Sequence, residues 1–315
     1  MVKRALVTGG AGFIGSHLTH RLVREGYEVV VFDDLSLGKH ENVPSEARLV
    51  VGSVSRPLAT LGTLFGKGHF DVLFHLAALP RVQFSILHPE ETHEVNANGT
   101  LHMIEYCRAH EIPRFVFSSS SSVYGDQAVL PLVETMSLRP QSPYAAQKAM
   151  SESLCSSWCA SYGLETIALR YFNVFGPRQS ADGGYACLIP KVARACLAGR
   201  SPELWGDGAH TRDFTYVDDV VEANLAAARV ARSNAFGQAY NIGAGKGYSV
   251  LQVIGAIQHS LGTTLELTCK PPVIEPAHTR ADVGLAREVL GWSPHVSFDD
   301  GLARTVDWFK ECHEA

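Results

Sequence analysis

A glycine-rich turn near the start of the chain limits what the rest of the sequence can fold into. Gly9, Gly12 and Gly15 follow a short apolar run, Ala5–Thr8, and precede a helical pattern that extends through Arg24. A Cβ in this turn would obstruct both a sharp bend and the close approach of an anion. Because a helix N-terminus adds N–H donors and positive dipole, the pattern predicts a pyrophosphate-binding site.

Short apolar and β-branched runs alternate with helical patterns along the first half of the chain. We expect strands at Ala5–Thr8, Glu28–Phe32, Arg48–Val51, Val72–Leu76 and Phe115–Ser118. Their continuous apolar character suits strands that are buried on both faces of a parallel sheet. The βαβα order therefore predicts an α/β chain with a Rossmann-type, doubly wound parallel sheet.

The second half of the chain is richer in turn signals, such as Asp182-Gly183-Gly184 and Gly206-Asp207-Gly208. Helical patterns there cover Leu188–Leu197, Val217–Val230 and Val250–Ser260. We predict a dinucleotide-binding domain over residues 1–170. Residues 171–315 should form mainly a smaller α/β substrate-binding region, from which some elements return to the first domain.

Asp33 indicates which dinucleotide the turn would bind. It lies 18 residues after Gly15, at the end of the second expected strand. Its carboxylate can accept hydrogen bonds from the adenosine ribose and would repel a 2′-phosphate. The next residue is Asp34, where an NADP-binding protein would favour a cation, so we expect NAD.

Composition excludes several other classes of protein. Hydrophobic residues make up 46% of the chain and the formal net charge is −5, without a polybasic stretch. We therefore expect no nucleic-acid partner and no membrane-bound segment. Seven scattered cysteines, with neither paired spacing nor a signal peptide, indicate reduced thiols in the cytoplasm and no metal site.

Two polar motifs in the middle of the chain point to proton-transfer chemistry. A run of five serines, 118–122, follows a strand, and Pro143 begins a helix that carries Tyr144 and Lys148. The four-residue spacing places Tyr144 and Lys148 on one helix face. A nearby ammonium group would lower the tyrosine pKa, so that the phenolate could take a hydroxyl proton.

Together these motifs resemble the extended short-chain dehydrogenase/reductases, and within them the UDP-sugar 4-epimerase family. The resemblance covers nearly the whole chain. It is carried by ten ordered segments: Thr8–Gly15, Asp33–Ser36 with Gly38, His75–Ala78, Asn96 with Gly99-Thr100, Ser118–Gly125, Ser142–Lys148, Arg170–Pro177, Gly206–Gly208, Arg212–Phe214 and Tyr240–Gly243.

The resemblance implies that Tyr144 is the catalytic base, Lys148 its pKa modulator and Ser120 its hydroxyl partner. It also implies an NAD site formed by Gly9, Gly12, Phe13, Ile14, Gly15, Asp33, Asp34, Ser36, Gly38, Ser53, Val54, Leu76, Ala77, Ala78, Asn96, Ser118, Tyr144, Lys148, Tyr171 and Val174.

The substrate implied by the resemblance is a UDP-hexose or UDP-N-acetylhexosamine. The residues implied around it are Ser85, Ser120, Tyr144, Asn173, Leu188, Leu204, Trp205, Arg212, His278, Thr279 and Arg280. The implied reaction is redox-neutral epimerisation at C4 through a 4-keto sugar. Helices near 91–110 and 144–162 resemble those that form the family's dimer contact, so a homodimer is expected.

Several positions depart from the family pattern. Ser53 stands where an aspartate usually contacts adenine, and Gln147 replaces a small hydroxyl residue before the lysine. Ala277 stands where an arginine usually clamps the diphosphate, a role that His278 or Arg280 could take. Thr279 occupies the position whose size decides, in the family, whether an N-acetyl group fits.

Three alternatives remain open at this stage. A nucleotide-sugar 4,6-dehydratase needs an acid and a base directly after the catalytic hydroxyl, but Ser121 and Ser122 stand there. A UDP-glucuronate 4-epimerase or decarboxylase would need an additional cation for the carboxylate. A non-catalytic NAD-sensing protein would not need Tyr144 or Lys148.

Overall fold

Seven parallel strands form the main sheet of this computed structural model, which describes residues 2–56, 69–181, 187–271 and 276–314. These strands are β1 Arg4–Thr8, β2 Glu28–Asp33, β3 Arg48–Val51, β4 Val72–His75, β5 Arg114–Ser120, β6 Glu165–Tyr171 and β11 Gln238–Ile242. Their order across the sheet is β11-β6-β5-β4-β1-β2-β3. The remaining described strands pair in twos: β7 Val174–Phe175 with β10 Thr215–Tyr216, β9 Thr211–Asp213 with β12 Gly247–Ser249, and β8 Glu203–Trp205 with β13 Thr268–Lys270.

Helices cover both faces of the main sheet and build most of the second region. They are α1 Phe13–Arg24, α2 Val82–Leu87, α3 Pro89–His93, α4 Gly99–Ala109, α5 Pro143–Tyr162, α6 Leu188–Leu197, α7 Val217–Arg229, α8 Val250–Ser260 and α9 Phe298–Glu314. A π-helical turn, Glu94–Asn98, joins α3 to α4, and a second covers Ala286–Leu290.

The apolar strand residues alternate between two core clusters. Val7 faces the cluster that contains Leu18 of α1 and Val220 of α7, whereas Leu6 faces the cluster that contains Ile104 of α4. All of these side chains are buried. Burial on both faces explains why the strands read as continuous apolar runs, and it confirms the predicted doubly wound α/β fold.

Two elements of the second half pack with the first. Strand β11 extends the sheet beside β6, pairing Tyr240 with Leu169, and α7 packs against α1. The other helices of the second half, α6, α8 and α9, enclose a separate cluster around Phe175 and Val253. The chain therefore crosses back to the sheet, as the sequence analysis allowed, and the division at residue 170 stays a prediction.

The expected element bounds agree closely with the observed ones. The helices Leu188–Leu197 and Val250–Ser260 begin and end where the sequence places them, and α7 ends one residue earlier, at Arg229. All seven cysteines are free thiols. Among the described residues, no helix is long and apolar enough to cross a membrane, and no group of three or more potential metal ligands occurs.

His75, at the end of β4, is a buried histidine in a complete hydrogen-bond chain. Thr100 Oγ1 donates to the carbonyl O of Asn96 (2.7 Å), so it accepts from His75 Nε2 (3.1 Å). His75 Nδ1 then accepts from Thr8 Oγ1 (2.7 Å), which itself accepts from the backbone N–H of Ala77 (3.3 Å). Burial lowers the pKa of His75 to about 3, so the ring is neutral in the folded chain.

The His75 network predicts a loss of stability in acid. In the unfolded chain His75 takes up a proton near pH 6.5, whereas in the folded chain it stays neutral down to about pH 3. The free energy of unfolding should therefore fall as pH decreases through this window, by about 1.4 kcal/mol per pH unit from this residue. Urea denaturation of wild type and His75→Gln at one NAD concentration measures the difference in slope.

His40 is exposed, so the variant His40→Gln serves as the control and should keep the wild-type dependence of unfolding free energy on pH. Equal slopes for wild type and His75→Gln would contradict the assignment of this pH dependence to His75.

Candidate active site

The three motif glycines are required for different reasons. A Cβ at Gly9 (φ 71°) would lie 2.6 Å from the backbone N of Ala77, and one at Gly15 would lie 2.0 Å from the Gly9 carbonyl O. A Cβ at Gly12 meets only the Gly9 carbonyl O, at 3.3 Å, and the φ of −78° suits any residue. Gly9 and Gly15 therefore serve the packing of the turn, whereas Gly12 leaves space for a ligand.

The N-terminus of α1 opens into this space. Among the described residues, no side chain caps the helix start, and the first turn, which includes Phe13 and Ile14, has no acidic residue. Its free N–H groups and positive dipole end favour an anion. The turn and helix thus fit the pyrophosphate of a dinucleotide.

Asp33 closes the same site from the end of β2. Its carboxylate accepts from the backbone N–H groups of Ala11 and Leu35, both at 2.9 Å, and burial raises its pKa. Each oxygen keeps a further lone-pair site that a ribose hydroxyl can use. Asp34 instead accepts from the backbone N–H and the hydroxyl of Ser36.

The other expected cofactor residues are divided between the site and the core. Leu76–Ala78 follow β4 at the same sheet edge and are partly accessible, and a Cβ at Gly38 would lie 2.9 Å from Asp33 Oδ1. Val54 is buried, and the Ser53 hydroxyl is paired with that of a serine two residues later.

Asn96 has its side-chain amide fully engaged within the protein. Its Oδ1 accepts from the backbone N–H of Leu79 (2.8 Å), and its Nδ2 donates to the Leu79 carbonyl O (3.2 Å) and to Gln147 Oε1 (2.8 Å). Asn96 therefore holds the loop after β4, and the structure leaves it no donor for a ligand.

The end of β5 and the start of α5 bring Ser120, Tyr144 and Lys148 together. Ser142 caps α5 by accepting from the N–H of Ala145 (3.2 Å), and Pro143 occupies the first turn. The Tyr144 hydroxyl is hydrogen-bonded to Ser120. Lys148 Nζ lies 5.9 Å from the centre of the Tyr144 ring.

Burial shifts the acid–base properties of both α5 side chains. It raises the pKa of Tyr144 to about 12, opposed by the Ser120 hydrogen bond, and lowers the pKa of Lys148 to about 8. Lys148 Nζ donates to the carbonyl O of Ser118 at 2.6 Å. A positive charge near the phenol favours its ionised form. A bound cation would therefore lower the pKa of Tyr144 towards neutral pH, where the phenolate can act as a base.

The structure gives the serines of the run different partners. Ser118 Oγ lies 3.0 Å from the Tyr171 hydroxyl, and Ser119 Oγ donates to Glu152. Ser120 is hydrogen-bonded to the Tyr144 hydroxyl. Ser122 Oγ is buried and has no hydrogen-bond partner among the described residues. The run by itself does not separate these roles, because the β5 pleat and the turn after it decide them; Ser120 was expected from the family resemblance alone.

Tyr171 and Val174 lie at the edge where a nicotinamide was expected. The Tyr171 hydroxyl is hydrogen-bonded to Ser118 and to the Asn224 side chain, and burial raises its pKa to about 12. Val174 pairs with Thr215 of β10 and is partly buried. Tyr171 can therefore present its ring to a ligand but not its hydroxyl.

The expected substrate residues differ in accessibility. Asn173 is exposed and Leu188 is partly buried at the start of α6, whereas Leu204 lies in the core and Trp205 is 39% exposed. Ser85 is buried: its Oγ donates to a carbonyl of its own helix and accepts from the N–H of Tyr144 at 3.1 Å. That contact makes Ser85 a support for the catalytic helix.

The segment that departs from the family pattern runs beside β9. The Ala277 carbonyl O accepts from the N–H of Thr211 (3.1 Å) and from Arg212 Nη1 (3.4 Å), and His278 Nδ1 lies 3.0 Å from Thr211 Oγ1. Thr279 is buried and its hydroxyl has no hydrogen-bond partner among the described residues. Arg212 and His278 therefore lie next to each other.

Two structural supports of the site had no role assigned from the sequence, although Asp213 and Arg170 lie in segments that carry the family resemblance. Asp213 accepts backbone N–H bonds from Ala244, Gly245 and Ala281, and burial raises its pKa to about 6. Its carboxylate joins β9, the loop after β11 and the segment that contains Thr279. A carboxylate that organises three distant backbone groups can be recognised only once the chain is folded.

The second support is a buried ion pair beneath the serine run. Arg170 Nε donates to Oε1 of Glu152 at 3.0 Å and its Nη2 donates to Oε2 at 2.7 Å, and both side chains are more than nine-tenths buried. Glu152 also accepts from Ser119, and Arg170 donates to the Tyr124 hydroxyl (2.8 Å). These bonds satisfy two charges that would be costly if left unpaired.

Comparison with known proteins agrees with this geometry. Residues 5–243 match the model of the NAD dependent epimerase/dehydratase family. The chain is 38% identical over 314 residues to the UDP-glucose 4-epimerase of Mycolicibacterium smegmatis, covering 98% of both chains. The fold and site define an extended short-chain dehydrogenase/reductase, and the chain belongs to the NAD-dependent epimerase/dehydratase family.

Solved structures extend the comparison. A UDP-glucose 4-epimerase of Thermus thermophilus in complex with NAD superimposes with a TM-score of 0.89 at 34% identity, covering 98% of this chain and 99% of that one. A UDP-N-acetylglucosamine 4-epimerase of Methanobrevibacter ruminantium gives 0.91 at 34% identity, covering 99% of each. The protein is thus an NAD-dependent epimerase, which confirms the cofactor and the class of enzyme expected from its sequence.

The space at Gly12 predicts a selective effect on the cofactor. Gly12→Ala keeps an allowed backbone and meets little protein, but its methyl group would enter the space before α1. We expect the dissociation constant for NAD to rise at least about tenfold, or roughly 1.4 kcal/mol. Isothermal titration of protein stripped of NAD measures this constant.

Gly255→Ala is the matched control, because a Cβ at this position of α8 meets no atom within 4 Å. Gly12→Ala protein that binds NAD as tightly as Gly255→Ala would show that Gly12 does not face the cofactor.

Proposed function

We propose that the protein is a UDP-hexose 4-epimerase that interconverts UDP-glucose and UDP-galactose and also accepts UDP-N-acetylglucosamine and UDP-N-acetylgalactosamine. The observation that carries the proposal is the arrangement of Ser120, Tyr144 and Lys148 beside the glycine turn. Among the three, Tyr144 is the proton acceptor, because its hydroxyl is hydrogen-bonded to Ser120 and its ring centre lies 5.9 Å from Lys148 Nζ.

The proton path uses Tyr144 and Ser120. NAD, when bound, supplies the hydride acceptor and a positive ring. Tyr144 takes the proton of the C4 hydroxyl as the C4–H bond breaks, and Ser120 holds the phenol oxygen or relays the proton. The Lys148 ammonium stabilises the phenolate. The 4-keto sugar would then turn and receive hydride on its other face, and Tyr144 would give the proton back, so no net oxidation would occur.

A freely turning hexose requires a firm hold on the nucleotide. Asn173 is exposed at the site, and Arg212 lies beside the segment in which Ala277 replaces the family's arginine. We propose that Arg212, with His278 and Arg280, holds the diphosphate. Leu188, Leu204 and Trp205 would then lie towards the uracil.

The size and burial of Thr279 support a broad sugar range. Thr279 is small, and its position is held by the bond from its N–H to the Thr211 carbonyl O at 3.1 Å. A larger side chain there would take up the volume that an N-acetyl group needs.

The serine run argues against a 4,6-dehydratase, because Ser121 and Ser122 cannot supply the acid and base that this reaction requires.

A second candidate is a UDP-glucuronate 4-epimerase or decarboxylase, which Arg81 favours. Arg81 Nη1 is buried without a hydrogen-bond partner among the described residues, and Arg81 precedes α2, which contacts Tyr144 through Ser85. An unpaired buried guanidinium nitrogen is costly, and a carboxylate would satisfy it.

Proton NMR of three separate incubations tests the proposal. The purified protein is given UDP-glucose, UDP-N-acetylglucosamine or UDP-glucuronate without added NAD. We expect the C4 epimers of both neutral sugars, because the cofactor is regenerated in each turnover. Epimerisation or decarboxylation of UDP-glucuronate alone would favour the second candidate. A 4-keto-6-deoxy product, or no conversion even with NAD, would overturn the epimerase proposal.

The same assay with Thr279→Tyr tests the sugar range. The larger side chain should abolish conversion of UDP-N-acetylglucosamine while UDP-glucose is still epimerised, so the second activity serves as the control for folding. Thr279→Ser should keep both activities. Equal losses for the two sugars in Thr279→Tyr would separate this residue from N-acetyl recognition.

We further propose that the protein is a homodimer formed through α5. Met150 and Tyr162 of this helix are 42% and 57% exposed, whereas the Trp158 indole is held internally by Glu105 at 2.6 Å. In sedimentation velocity, wild type should have the mass of a dimer, and Met150→Glu should shift it towards the monomer. Leu251→Glu, at a similarly exposed position of α8, should not.

A further inference from the structure

We propose that Gln147 is a positioning residue that sets the catalytic helix α5 in place against the loop that lines the cofactor. It immediately precedes Lys148, at a position where the family has a small hydroxyl residue. Its side chain is 4% exposed and makes hydrogen bonds at both ends. The proposal rests on the NAD-dependent activity of the family and not on the identity of the sugar.

The first step is the bond between α5 and the π-helical turn. Gln147 Oε1 accepts from Asn96 Nδ2 at 2.8 Å, and its Nε2 donates to Thr92 Oγ1 at 3.0 Å. A serine at position 147 would be too short to reach either partner across the same gap. The Gln147 amide therefore makes hydrogen bonds between α5 and the residues Asn96 and Thr92 that a serine or threonine at this position could not make.

The second step extends from Asn96 to the cofactor side. Asn96 binds both the N–H and the carbonyl O of Leu79, in the loop that begins with Leu76–Ala78. The same loop approaches Gly9 at Ala77, where a Cβ on the glycine would be 2.6 Å from the backbone N. Gln147 is thus connected through the Asn96 side chain to the loop that lines the dinucleotide site.

The third step is the return contact. Ser85, six residues after Leu79, accepts from the backbone N–H of Tyr144 at 3.1 Å. The stretch 79–85 is therefore fixed to α5 at two places, once through Gln147 and once at Tyr144. Two fixed points define an orientation as well as a distance. Without Gln147, the side chain of Asn96 has no bond to α5 within the described part of the chain, and the 3.3 Å bond from Ser151 Oγ to the Asn96 carbonyl O remains.

The expected effect of Gln147→Met follows from this arrangement. Methionine fills a similar volume without hydrogen bonds, so α5 keeps its packing but loses its alignment with the loop. We expect the NAD dissociation constant to rise and kcat to fall, each by about tenfold. The KM for whichever UDP-sugar wild type converts should stay unchanged, because the nucleotide is held by the second half of the chain.

Gln258→Met is the matched control. Gln258 is 9% exposed, donates to the Leu265 carbonyl O at 3.1 Å and accepts from the Leu265 N–H at 3.0 Å, within the α8 region. Its loss removes two hydrogen bonds, whereas Gln147 makes the two described above and a longer one to the Pro89 carbonyl O at 3.5 Å. Gln258→Met should lower Tm, while kcat and NAD affinity stay as in wild type. Thr92→Val leaves the bond between Asn96 and Gln147 intact, so this variant should also keep the wild-type kcat and NAD affinity.

The measurements are isothermal titration with NAD, steady-state kinetics and thermal unfolding of the four proteins. The proposal would be overturned if Gln147→Met had the same NAD affinity and kcat as Gln258→Met, so that only its Tm was lower than that of wild type. If Gln147→Met does not fold, Gln147→Asn, which is too short to reach Asn96, replaces it with the same expected result. The NAD titration decides the proposal even if no UDP-sugar is converted, so its failure is distinct from that of the proposed function.

Discussion

The close contact between the glycine turn and the loop after β4 is the constraint on which the site depends. Gly9 approaches Ala77 so closely that no side chain fits between them. That approach brings the end of β1 against the end of β4, and the loop then continues to Leu79 and Ser85. Because both of these residues are bonded into the network around α5, the position of the catalytic helix follows from the position of the turn.

The interior of the site contains two paired polar networks that no sequence pattern indicated. The neutral His75 joins Thr8 to Thr100, and the Glu152–Arg170 pair lies under the serine run. Fixed dipoles and paired charges stabilise a reacting group without having to reorganise. Burial then separates the pKa values of Lys148 and Tyr144, to about 8 and about 12, which leaves a positive lysine beside a neutral phenol until the site is filled.

The sequence identified the parts of the site that are local. The Gly-x-x-Gly-x-x-Gly turn, the acid at the end of β2 and the Tyr-x-x-x-Lys spacing each lie within one strand–turn–helix unit, so their chemistry follows from short-range geometry. The same patterns predicted the parallel sheet and placed five of its seven strands with bounds that agree to within two residues. Asn96, which is expected at the cofactor, has its side-chain amide bonded to Leu79 and Gln147, and no short-range pattern indicated these contacts.

What the sequence alone determined, therefore, is the fold class and the cofactor, and it also predicted Tyr144 and Lys148 as the proton-transfer pair, since these patterns depend on residues that are close together in the chain. Tertiary structure decided which serine meets Tyr144, how Asp213 joins three segments, and that Ser85 supports the catalytic helix. These contacts join residues separated by tens of positions, and many side chains of similar chemistry compete for each partner. Only the packing of the sheet against its helices selects among them.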